Sequence, residues 1–160
     1  MTKEQTKEIV TAHTRVVAIV DRLFDHVAIN QHRGKSPCHC CSSCASHKGY
    51  FVITDKMIAK AEGRAIPIMP NDKTGFLGVN GCTIRLRRDR SLTCILYVCH
   101  GSLPTYIREL LINLRAAIEG VVGGAHSSRL DVLTNRIAEF MDFVCDRDKY
   151  KKQLEKPRAV

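Results

Sequence analysis

Tryptophan is absent and aromatic residues make up only 6% of the chain, which leaves little material for a platform of stacked rings against single-stranded nucleic acid. Long apolar runs are missing too. The longest, "VVAIV" at 16–20 and "CILYVC" at 94–99, fall far short of the roughly 20 residues that a membrane-spanning helix needs, so no membrane role is expected. The opening "MTKEQTKEIV" mixes Lys3 and Lys7 with Glu4 and Glu8, which fits neither a secretory signal nor a transit peptide, and the expected location is cytoplasmic. The sequence also lacks a Gly-rich phosphate loop, a Gly-x-Ser-x-Gly elbow and a His-Glu-x2-His pair. Enzymatic activity is therefore the less favoured reading, and no catalytic residue is assigned.

What the chain has is sulfur and positive charge. It carries eight cysteines in 160 residues and a formal charge of +9. A chain of this length can bury a core without disulfide staples. In a reducing compartment, closely spaced thiols point to metal or redox chemistry rather than to cross-links. Four thiolates on one Zn²⁺ would lower the charge to roughly +7, and a basic surface of that size favours nucleic acid, anionic lipid or an acidic partner without naming any of them.

No repeat or low-complexity linker divides the chain, so a single domain over 1–160 is expected. Ile9, Ala12, Val16, Val20, Leu23, Phe24 and Val27 recur at helical spacing and predict a helix over 3–30. "YFVIT" reads as a short strand, followed by a short helix that Thr54 or Asp55 caps and Gly63 ends. "FLGV" and "CTIRL" flank Asn80-Gly81, a dipeptide suited to a two-residue hairpin turn. "LTCILYVC" is compatible with another strand or with the start of a helix.

Two helices follow over 104–145. Ile107, Leu110, Leu111, Leu114, Ala117, Ile118 and Val121 line the first, with Pro104 in its first turn and Gly123-Gly124 as its stop. Ser128 and Asp131 resemble a capping box ahead of Leu130, Leu133, Ile137, Phe140, Met141 and Val144. Residues 146–160 read as a polar tail. The expected fold is α+β: a small, irregular, cysteine-rich metal-binding core with a β-hairpin at 37–100, packed by one N-terminal and two C-terminal helices.

The stretch "KSPCHCCSSCASHKGY" at 35–50 concentrates the thiols. Cys38, Cys41 and Cys44 fall at even spacing with Cys40 as an extra, and the small residues Ser42, Ser43 and Ala45 let backbone amides turn toward sulfur. Downstream lie Cys82, Cys94 and Cys99. A knuckle joined to a distant pair is the usual way to assemble a tetrahedral zinc site. The candidate ligands are Cys38, Cys41, Cys44, Cys82, Cys94 and Cys99, with Cys40 and His100 as further candidates. Zn²⁺ is the expected ion, and the even spacing also suits an iron–sulfur cluster or iron. Crowded thiols without a ligand would oxidise readily, which disfavours a bare cluster.

These residues resemble the CxxCxxCC, or YkgJ-type, cysteine-cluster family of zinc- or iron-chelating domains. "PCHCCSSCA" is similar to its first cysteines, "FVITDKMIAKAEG" to its strand and short helix, and "GCTIRLRRDRSLTC" to its late segment, over roughly residues 37–99. The pattern departs where Ala45 stands for a clustered cysteine, Arg85 for Tyr and Ser91 for Pro, and the Cys82 to Cys94 interval is longer. The resemblance implies metal chelation.

Among the other candidates, "RLRRDR" gathers Arg85, Arg87, Arg88 and Arg90. They can grip phosphates, or solvate a hairpin and neutralise nearby thiolates, and the latter is favoured. His39 and His47 neighbour thiols but read as solvated or outer-sphere groups. His13, His26 and His126 are assigned no function, and Cys145 reads as core packing. The expected activity is a metal-chelating binding or adaptor module; the alternatives are a basic nucleic-acid-binding regulator with structural zinc, and a redox or metal-transfer protein.

Overall fold

In the computed structural model, the described residues are 1–26, 51–70, 73, 75–78, 81–96 and 103–154. The helix α1 spans Lys3–His26, α2 Ile53–Ala61, α3 Leu92–Leu96, α4 Thr105–Val122 and α5 Ser128–Leu154. A 3-10 turn at Arg87–Asp89 precedes α3. Three long helices form the body, with α1 packed on both α4 and α5 and those two packed on each other. The short helices α2 and α3 sit against α1 and α4.

The apolar stripes decide this arrangement. Ile9, Ala12, Val16, Ile19, Val20, Leu23 and Phe24 are all buried along one side of α1, so the period of hydrophobic residues becomes a contact face. They meet Ile107, Leu111, Leu114, Ala117, Ile118 and Val121 of α4, and Leu130, Leu133, Ile137 and Met141 of α5, in one continuous core. Burying each large side chain contributes about 1.5–3 kcal/mol. The stripe predicted for α4 lies inward except Leu110, which is half-buried.

The expected α+β class is not what forms: the protein is mostly helical. Leu77–Gly78 and Gly81–Cys82 pair antiparallel over two residues each, with Leu77 opposite Cys82 and Gly78 opposite Gly81. That contact is too short for a sheet layer. One of its two pairs is glycine against glycine, so it has no side chains with which to build a face. The pairing also puts Gly81 in the ladder rather than in the turn that Asn80-Gly81 suggests.

The strand expected at "YFVIT" is absent as well, since Ile53 and Thr54 already belong to α2. The carboxylate of Asp55 accepts a hydrogen bond from the backbone N–H of Val52 at 2.9 Å, which satisfies a donor at the helix start and overrides the β preference of Val52 and Ile53. At the other end Gly63 takes φ 65°. Arg64 N–H bonds to Ala59 O at 3.0 Å there, closing α2 as the left-handed glycine predicts. "LTCIL" is helical, which decides between the two readings of that segment.

Gly123 and Gly124 end α4 as expected, and Gly124 adopts φ 98°. The capping box read at Ser128 does not form. Ser128 N–H instead donates to His126 Nδ1 at 3.1 Å, while Asp131 is drawn to Arg15 on α1. Among the described residues no helix is long and apolar enough to cross a membrane.

Candidate metal centre and its surroundings

Two of the expected ligands, Cys82 and Cys94, lie among the described residues. Cys82 ends the second paired segment and Cys94 lies within α3. Both are half-buried and pack against the same small apolar cluster, Phe76 and Ile84, with Phe51 and Met69 around it. Phe51 stands edge-on to Phe76, with ring centroids 6.0 Å apart. The cluster is separate from the main core. The other expected ligands, Cys38, Cys40, Cys41, Cys44, Cys99 and His100, lie outside the described residues, as do His39 and His47. Among the described residues no group of three or more His, Cys, Asp or Glu side chains is placed to hold a metal ion. Cys82 and Cys94 are soft thiol donors of the kind that zinc and iron–sulfur chemistry requires.

Asp55 fixes the element that carries Cys94. Besides the Val52 amide, its carboxylate accepts the N–H of Leu92 at 2.8 Å, so one side chain holds the residue just ahead of α2 and the first residue of α3. Ser91 Oγ accepts the Cys94 amide at 3.4 Å. Asp55 is 4% exposed. Burial pushes its carboxyl pKa up, against the opposing pull of the Leu92 and Val52 amides.

The arginines of "RLRRDR" are mostly engaged within the protein. Arg87 pairs with Asp21 on α1, and its guanidinium lies 5.4 Å from the centre of the Phe24 ring. Arg88 donates to Glu62 at 2.8 Å. Arg90 is buried and donates to Ile84 O at 2.7 and 3.0 Å, bracing the turn it belongs to. Of the four, Arg85 is the exposed residue.

Glu62 is the centre of a charge cluster, buried at its own carboxylate and at His13, that sequence reasoning missed. Its side chain is 3% exposed and lies 2.6 Å from Nδ1 of His13, itself 1% exposed. Arg64 Nε and Arg88 Nη2 donate to the same carboxylate. The His13, Arg64 and Arg88 contacts overcome the opposing effect of burial and lower the Glu62 pKa to about 2. The one available signal was His13 in register with Ala12 and Val16 on an otherwise apolar face; its partner is 49 residues away. This cluster ties α1, the end of α2 and the 3-10 turn together, and so holds the chain leading into Cys94.

No family model, no curated protein and no solved structure matches the chain.

Proposed function

We propose that the protein is a metal-chelating cysteine-cluster protein, zinc being the preferred ion and iron or an iron–sulfur cluster the alternative, acting as a cytoplasmic binding or adaptor module. The observation that supports this reading is the shared position of Cys82 and Cys94. They come from different elements, yet both rest on Phe76 and Ile84 beside Phe51, the first described residue after the cysteine-rich stretch. A tetrahedral site takes its sulfur donors from separate stretches of chain, and Cys82 and Cys94 are two such donors on one cluster.

The nucleic-acid reading draws on less. Arg87, Arg88 and Arg90 have protein partners at Asp21, Glu62 and Ile84, so three of the four arginines already have internal partners. The sequence carries none of the common phosphate-loop, serine-elbow or zinc-hydrolase motifs, so a binding role is proposed ahead of catalysis.

Elemental analysis of anaerobically purified protein tests the proposal. The expected result is a stoichiometric transition metal, colourless if zinc and absorbing in the visible if iron–sulfur. Protein that is folded, reduced and free of any stoichiometric metal would remove the reading. Iron with reversible bleaching would move it to the redox alternative.

A further inference from the structure

Away from these thiols, Cys145 sits between two ion pairs that join α1 to α5. Arg22 Nη2 donates to Asp142 at 2.6 Å, and His26 Nε2 lies 3.2 Å from Asp148 Oδ2. Asp142, Cys145 and Asp148 follow one another at intervals of three on α5, and Arg22 and His26 are four apart on α1, so each set shares a helix face. The Cys145 sulfur lies 4.0 Å from His26 Nδ1. Arg22 also interacts with it: the guanidinium is held as a firmer cation by Asp142 first, and by Cys145 in addition. Arg147 reaches the same Asp148 at 3.9 Å.

The tautomer follows from the chemistry of the partners. An ionised carboxylate only accepts, so Asp148 favours the tautomer with the imidazole proton on Nε2, in which the Nδ1 lone pair faces the sulfur. Nucleophile, base and orienting carboxylate are thereby aligned in one row. Cys145 packs against the main core and is half-buried, while the side chains of His26 and Asp148 are 27% and 40% exposed. The contact between the thiol and His26 lies at the exposed edge of the α1–α5 seam.

We propose that Cys145 is a modification site, a thiol that His26 and Asp148 activate for exchange with a low-molecular-weight disulfide. As the Cys145 S–H proton passes to His26 Nδ1, sulfur attacks one atom of the small disulfide. A new S–S bond forms at Cys145 while the old one breaks, and the departing thiolate takes the proton from His26 and leaves as a thiol. No electrons are lost from the system, because the small disulfide is the oxidant. The adduct would stand at the seam between α1 and α5. This inference does not rest on the metal reading, since Cys145 belongs to a different cluster from Cys82 and Cys94.

The test exposes the purified full chain to oxidised glutathione and follows the mixed disulfide at Cys145 by peptide mass mapping, in folded protein and in urea. Folded protein should react about tenfold faster at Cys145 than the unfolded chain. His26→Asn should remove that advantage and Asp148→Asn should reduce it, with helical circular dichroism and melting temperature unchanged. In His26→Gly, added imidazole should restore part of the rate, which a merely structural role for His26 would not allow. Equal rates in folded, unfolded and His26→Asn protein would overturn the proposal, as would slower reaction in the folded form with no imidazole rescue.

Discussion

Glu62 illustrates how much a single buried carboxylate can hold together. Its folded pKa of about 2 lies below its ordinary 4.5, so its contribution to stability is complete above the unfolded value and is lost as the pH falls through the folded one. Asp55 runs the other way. Its raised pKa gives a contribution that is present below the unfolded value and lost as pH rises through the folded one. Replacing Glu62 with Gln should flatten the acid limb of the stability curve between about pH 4.5 and 2. The same change should cost about 3 kcal/mol at neutral pH, because His13, Arg64 and Arg88 lose their shared anion. Urea titrations at a series of pH values check both expectations; an acid limb identical to that of the unsubstituted protein would contradict the assignment. None of this was legible in the sequence. Periodicity marks faces, and it does not say which charge on one face will find which partner on another. The same blindness affected Cys145, whose helical register indicated core contact but gave no hint of His26 across the seam.

At the scale of elements, the three long helices could be read from their apolar spacing, since a stripe repeated over about four turns has only one way to be buried. The short pieces could not. "YFVIT" has β-forming residues, yet one carboxylate, Asp55, at the third position of α2 decides for helix. Asn80-Gly81 is a turn signal, but Gly78 and Gly81 deprive the flanking segments of the side chains that would extend a ladder. Local propensity therefore set only a preference, and capping and packing determined the outcome. Two substitutions separate these influences. Leu114, fully buried where α4 meets its neighbours, should cost roughly 3 kcal/mol when changed to Ala. At Gly124, with φ 98° and nothing within 4 Å of where a Cβ would stand, the change to Ala should cost only about 1 kcal/mol, from backbone strain alone. Denaturant midpoints with unchanged slope would verify this order, and equal losses would refute it.

For the whole molecule, the main core and the thiol-bearing cluster are distinct. The helical body buries a continuous apolar interior through α1, α4 and α5, whereas Phe76, Ile84 and the two cysteines form a much smaller group. Among the described residues that group is small, and the proposed ion would add to its stability. At the candidate site the sequence marked the thiols but not their setting: Cys82 and Cys94 rest on one apolar cluster, and α3, one of the two readings of its segment, carries the second. The claim is tested most directly by mapping alkylation of every cysteine in metal-loaded protein, before and after a chelator strips the ion. Cys82 and Cys94 should be protected together with thiols of the 38–44 group, should become reactive together on stripping, and should all be exposed by Cys94→Ser alone. Protection of Cys82 and Cys94 that is indifferent to the chelator, or that survives independently of the 38–44 thiols, would contradict the account.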